Sequence, residues 1–312
     1  MTVPTNAKIY VAGHGGLVGS ALLRRLRRGG YTNVVTRTHQ ALDLLNQNKT
    51  NAFFELEKPE YVFLAAARVG GIHANNTYPA DFIYENIQVQ NNAIHAAHET
   101  GAKWFCFLGS SCIYPRDCIQ PIKEEYFLTG PLEPTNEPYA VAKIAGIELC
   151  NSYNRENCTR FVSVMPTNLY GPNDNYDLAN SHVLPALIAK VHEAKIRGDT
   201  EFIVWGSGNP KREFLYVDDM ADACVFLMEQ GVSEGVYNIG CGIDLTIGEL
   251  AKTVMDVIGF KGKIVFDTGK PDGTMRKVLD VSRLANLGWV AKTSLREGIA
   301  LTYRDFLQQV NA

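Results

Sequence analysis

Two ionisable side chains stand one helical turn apart in Tyr139-Ala140-Val141-Ala142-Lys143, directly after Pro138. A spacing of four puts both on one helix face. An unperturbed phenol ionises near pH 10 and is a poor proton carrier at neutral pH. A neighbouring ammonium favours the phenolate, so Tyr139 beside Lys143 can serve as proton donor to a carbonyl oxygen undergoing reduction. A Tyr-x-x-x-Lys match is common by chance and, alone, reads as structural. It gains weight from Gly109-Ser110-Ser111-Cys112-Ile113-Tyr114-Pro115, which follows the apolar run Trp104–Leu108. Open α/β sheets bind ligands beyond the carboxyl ends of their strands, where a serine can hold the carbonyl for Tyr139. Two serines are adjacent. Ser110 is the better candidate because it immediately follows the strand and Gly109, while Ser111 also reads as a turn hydroxyl bonded to its own backbone.

The second chemical signal is Val11-Ala12-Gly13-His14-Gly15-Gly16-Leu17-Val18-Gly19. Glycines at 13, 16 and 19 lie between a short β-type run and a helical one. That arrangement suits a tight turn, close backbone approach to a pyrophosphate, and close helix–strand packing. The helix start then offers free N–H groups to phosphate. The implied ligand is a nicotinamide dinucleotide, with a plain tight turn as the alternative. At the end of the second strand an acidic residue would hold a ribose 2′-OH, but the sequence there is Thr36-Arg37-Thr38-His39. Arg37, with His39, can face a 2′-phosphate. NADP(H) is therefore favoured and NAD(H) is not excluded, since Arg37 also reads as a solvated surface charge.

These residues need a scaffold of alternating strands and helices. Strands are expected at 8–12, 33–37, 61–66, 104–108 and 161–165, several of them continuous apolar runs suited to burial on both faces. Helical patterns occupy 17–28, 80–99 and 139–155. The βαβα order implies a parallel, doubly wound Rossmann-type sheet. After Pro166, residues 168–180 read as a loop. A helix at 182–196, a strand at 202–205, a helix at 218–228 and a strand at 236–239 follow, the last returning to the main sheet. Thr246 with Glu249 forms a capping box that opens a helix to Ile258. The expected division is a cofactor domain of 1–166 plus about 214–240, interleaved with a smaller α/β substrate domain of 167–213 and 241–312.

Composition narrows the class. The chain has 312 residues, 46% hydrophobic and 20% charged, with a formal net charge of −3, so nucleic acid and anionic membranes are not indicated as partners. The basic run Arg24, Arg25, Arg27, Arg28 reads as a solvated helix face. Seven scattered cysteines without a C-x-x-C pair favour neither a disulfide framework nor a metal site, and suggest a reducing, cytoplasmic setting. No signal peptide or membrane-spanning run is expected.

Taken together, these features resemble the extended short-chain dehydrogenase/reductase superfamily and, within it, the GDP-L-fucose synthase family. The likeness runs nearly end to end. The glycine loop and Tyr-x-x-x-Lys mark only the superfamily. Ser111-Cys112 after Ser110, Asn180-Ser181-His182 and Trp205-Gly206-Ser207-Gly208 mark the narrower family, with Lys270-Pro271-Asp272-Gly273-Thr274 in support. The resemblance implies 3,5-epimerisation of GDP-4-keto-6-deoxy-D-mannose, followed by NADPH-dependent reduction at C4 to GDP-L-fucose. Cys112 and His182 would be the acid–base pair of the inversions, although in isolation they read as an inert buried thiol and a helix-start histidine. It further implies cofactor contacts from Leu44, Leu108, Gly109, Ser110, Ser111, Lys143, Pro166, Thr167, Asn168, Leu169 and His182. Substrate contacts would come from Lys190, Trp205, Arg212, Asp272 and Lys277, and the enzyme would be a homodimer. Gly15 and His39 depart from the family, where arginine often meets the 2′-phosphate. Rival readings are a 4-epimerase or 4,6-dehydratase of the same fold and, in another class, a non-catalytic dinucleotide sensor. Ser111-Cys112 stands where a dehydratase would carry Asp-Glu, and a sensor would commonly lose the Tyr and Lys.

Overall fold

The computed structural model describes residues 3–178, 181–270 and 272–310. Asn180 and Pro271, each part of a motif above, lie outside them. In chain order the strands are β1 Ile9–Ala12, β2 Val34–Val35, β3 Tyr61–Leu64, β4 Trp104–Leu108, β5 Phe161–Pro166, β6 Asn168–Tyr170, β7 Glu201–Trp205, β8 Lys211–Tyr216, β9 Val236–Ile239, β10 Asp244–Thr246, β11 Lys263–Asp267 and β12 Arg276–Lys277.

The main sheet runs β2-β1-β3-β4-β5-β9, parallel throughout. All residues of β1 and β4 are buried, because helices cover both faces. Leu22 and Leu26 of helix Leu17–Arg28 and Met220 and Leu227 of helix Val217–Glu229 pack on one side. Phe54, Ile94 and Ile147, from helices Gln47–Glu57, Pro79–Glu99 and Glu137–Asn157, pack on the other. The strand order reverses at β1, with β2 on one flank and β3 on the other, so the glycine loop that leaves β1 opens at the topological switch point.

A smaller lobe carries β6, β10 and β12 around β8 and pairs β11 with β7. Helices Val183–Arg197, Ile247–Ile258 and Leu295–Val310 close over it through Ile188, Val191, Leu250, Val254 and Ile299. The expected capping box at Thr246 and Glu249 is present.

Two readings change. Residues 168–170 are not loop but strand β6, in register with Phe214–Tyr216 of β8; three residues set just before Gly171-Pro172 are too short a run to show a strand pattern until their distant partner is known. The arginine run is not simply solvated either. Arg24 and Arg28 pair with Asp218, and Arg25 with Asp222 and Glu229, so helix Leu17–Arg28 is laced to helix Val217–Glu229. Among the described residues no helix is long and apolar enough to cross a membrane.

Candidate active site

The glycine loop is dictated by space. Gly13 has φ +78°, and a Cβ there would lie 2.7 Å from the Ala66 amide nitrogen. A Cβ on Gly19 would sit 2.1 Å from the Gly13 carbonyl oxygen. Gly16 donates its N–H to that same oxygen at 3.1 Å. No side chain caps helix Leu17–Arg28, so its first N–H groups are available to an anion. A small cradle at an uncapped helix start is what a dinucleotide pyrophosphate requires, and the residues present fit that group. Gly19→Ala should therefore cost about 1–3 kcal/mol by overpacking and weaken dinucleotide binding. Thermal unfolding and fluorescence titration with NADPH measure the two effects.

A cleft of about 1410 Å³ extends from this loop into the smaller lobe. At one end it is lined by Gly13, Gly16, Leu17, Val18, Gly19, Arg37, His39 and Leu44. In its middle lie Leu108, Gly109, Ser110, Ser111, Cys112, Tyr139, Lys143, Pro166, Thr167, Asn168, Leu169 and His182; the smaller lobe contributes Lys190, Trp205, Arg212, Asp272 and Lys277, the last of these near Cys112. His14 and Gly15 are not among the lining residues. The His14 Nδ1 is buried without a hydrogen-bond partner, and a Cβ on Gly15 would meet open space. Arg37 is already engaged: its guanidinium donates to Glu57 at 2.5 Å and lies over the Phe53 ring at 5.3 Å.

The catalytic candidates converge from three elements. Lys143 is buried on helix Glu137–Asn157 and donates from Nζ to the Leu108 carbonyl at 2.8 Å, which ties that helix to the end of β4. Its ammonium stands 5.7 Å from the Tyr139 ring centre. Burial lowers the Lys143 pKa to about 8. The expected shift of Tyr139 toward phenolate is not what the structure shows. Burial, reinforced by the nearby Cys112, raises its pKa and leaves a neutral phenol with a proton to give. The Ser110 Oγ accepts the Cys112 N–H at 3.3 Å, within a short turn over Ser111–Ile113. Burial raises the pKa of the Cys112 thiol, opposed by Lys277, by the Ser110 hydroxyl and by Lys143. His182 is the N-cap residue of helix Val183–Arg197, but its side chain does not cap it. Its ring is open to solvent yet walled by protein atoms, and this confinement lowers its pKa.

The Lys143 shift has a sign. The site loses its ammonium as pH rises through about 8, so turnover that depends on that charge should decline above this value, with the limb abolished in Lys143→Met. A pH–rate profile tests it. For stability the sense is opposite. Between about 8 and about 10.4 the unfolded chain holds the extra proton, so the penalty of burying this charge is relieved as pH rises through that window.

At the far end the Trp205 ring is exposed and flanked by Lys190 at 4.8 Å and Lys270 at 5.3 Å. Arg212 donates to the Thr274 carbonyl. Both Asp272 oxygens are taken by Ser207, from its N–H at 2.9 Å and its hydroxyl at 2.6 Å, so Asp272 shapes the turn after Trp205. Sequence reasoning missed residues 65–71 and Asn75, which also line the cleft. Asn86 clamps this segment by accepting from the Arg68 N–H and donating to its carbonyl, each at 3.0 Å. The position of residues 65–71 directly after β3, as Gly109 follows β4, was the available signal.

Comparison with known proteins places this geometry. Residues 9–240 match the family model described as NAD dependent epimerase/dehydratase family. A putative GDP-L-fucose synthase 2 of Arabidopsis thaliana is 59% identical over 305 residues, covering 98% of this chain and 93% of that protein. The GDP-L-fucose synthase of Escherichia coli K12 is 52% identical, covering 96% and 97%. The crystal structure of a GDP-L-fucose synthetase from Naegleria fowleri bound to NADP superposes with a TM-score of 0.94 at 31% identity, covering 100% and 96%. With residues 9–240 matched by the family model and nearly the whole chain covered by these relatives, the chain belongs to the NAD dependent epimerase/dehydratase family and, within it, to the GDP-L-fucose synthases.

Proposed function

We infer that the chain converts GDP-4-keto-6-deoxy-D-mannose to GDP-L-fucose, inverting C3 and C5 and then reducing C4. The observation that carries this reading is that Cys112, His182, Ser110, Tyr139 and Lys143 line one cleft. Proton exchange and carbonyl reduction are thereby served by one pocket. Both inverted carbons flank the ketone, so the enolate that forms at either one places its charge on the same oxygen. The Tyr139 phenol and Ser110 hydroxyl hold that oxygen. The resting thiol keeps its proton while the His182 imidazole is neutral, so the pair has one proton to give and one site to receive another, as an inversion requires. A nicotinamide dinucleotide, when bound, would supply the hydride that C4 receives. Tyr139 delivers the proton to the oxygen, and Lys143 supports it through its charge.

NADP(H) is the cofactor in this reading. Gly13, Gly16 and Gly19 would hold the pyrophosphate, and Arg37 would meet the 2′-phosphate by giving up its contact with Glu57. Lys190 and Arg212 suit a diphosphate, while Trp205 offers a flat face to base or sugar. The enzyme pairs as a homodimer through the long helices Pro79–Glu99 and Glu137–Asn157, on which Tyr84 and Val141 are exposed.

Incubation with the ketosugar and NADPH, followed by NMR of the product, tests the reading. An L-configured 6-deoxyhexose is expected. A product epimerised only at C4, or no turnover with either NADPH or NADH, overturns it.

A further inference from the structure

The catalytic turn and the strand bearing Lys277 are joined behind the cleft by one amide. Asn238 lies on β9, the edge strand of the main sheet, and is fully buried. Its Oδ1 accepts the Tyr114 hydroxyl at 2.6 Å, and Tyr114 is the residue at which the turn Ser111–Ile113 ends. Its Nδ2 donates to the Ile122 carbonyl at 2.9 Å and to the Asp280 carbonyl at 3.1 Å. Its backbone N–H, which faces away from the sheet, is taken by Glu124 at 3.0 Å. Ile122 in turn is bonded to Val278 and Asp280, directly beyond Lys277. The side chain thus uses its acceptor and both donors to bind three segments.

Those segments are the ones that place Cys112 and Lys277. Lys143 is anchored elsewhere, by the Leu108 carbonyl; Ser110 caps the Cys112 turn but is also held from β5, where the Val164 carbonyl accepts the N–H of the preceding Gly109 at 2.9 Å.

We propose that Asn238 is a positioning residue for the epimerising half of the site, acting through Tyr114 on the Cys112 turn and through Ile122 and Asp280 on the strand of Lys277. This rests on the functional reading above. Asn238 sets how fast C3 and C5 exchange protons relative to how fast C4 is reduced. Slackening its network slows the first process and lets unepimerised ketone be reduced.

Tyr114→Phe is the conservative test, since it deletes one hydroxyl and keeps the ring. Loss of one buried hydrogen bond corresponds to about a tenfold fall in solvent deuterium entry at C3 and C5. NADPH oxidation should persist, with a D-configured 6-deoxyhexose appearing by NMR. Asn238→Ser, which removes the contacts to Tyr114, Ile122 and Asp280 together, should shift the product ratio further. A merely structural role would lower the yield of active enzyme and leave that ratio untouched. An unchanged ratio in Tyr114→Phe, or a parallel fall of exchange and reduction in both variants, overturns the proposal. A wild-type enzyme that neither exchanges protons nor oxidises NADPH refutes the functional reading first, and the two failures are told apart by that control.

Discussion

Phenylalanine at position 139 stops reduction: kcat for NADPH oxidation falls roughly a hundred- to ten-thousand-fold, the span of a positioned proton donor. The substitution removes one oxygen and leaves the ring, so the edge-to-face contact with Phe82, with ring centres 6.2 Å apart, is retained. Thermal stability and NADPH affinity should stay near those of the parent. Burial holds the native phenol in its protonated form, so the group lost in the variant is the donor itself. Solvent deuterium should still enter C3 and C5, more slowly, because Ser110 remains to share the enolate oxygen. A Tyr139→Phe enzyme that oxidises NADPH at near the parental rate would remove Tyr139 from the role.

Cys112→Ser gives the complementary separation. A serine hydroxyl nearly matches the thiol in size but ionises far above it, so it neither takes nor gives a proton readily at neutral pH. Epimerisation should fall by a comparable hundred- to ten-thousand-fold, while reduction continues on uninverted ketone. The product then changes its configuration as well as its amount, and NMR of the deoxysugar reports it directly. Equal epimerisation in this variant would exclude Cys112. The effect should exceed that of Tyr114→Phe, since one substitution deletes the acid–base group and the other only loosens its support.

Much of this architecture was legible in the amino-acid order. The five residues of β4 are buried throughout, and a strand covered on both faces announces itself as an unbroken apolar run. Gly13 and Gly19 were readable because the constraint on them is steric and local. The capping box at Thr246 was readable because its two partners stand three residues apart. What escaped depended on residues distant in the chain. Strand β6 exists because β8, more than forty residues on, offers it an edge. The partners of Arg24 and Arg25 lie on helix Val217–Glu229, and the hold of Glu57 on Arg37 crosses from a helix to the end of a strand.

The site divides in the same way. The Tyr139–Lys143 spacing follows from helical geometry, whereas the direction in which their pKa values move does not. Spacing suggests an ammonium that draws the phenol toward ionisation. Enclosure of both groups dominates instead, raising one and lowering the other. Enclosure is a property of the assembled cleft, which no local motif encodes.

The lacing of helix Leu17–Arg28 to helix Val217–Glu229 bears on how the cofactor end can be re-engineered. A donor loop and helix grafted from a relative to change dinucleotide preference would set Asp218, Asp222 and Glu229 against foreign side chains in place of Arg24, Arg25 and Arg28, with Asp222 left the longer contact to Lys292 at 3.8 Å. A transplant should therefore carry both helices as one module, although nearly two hundred residues of sequence separate them.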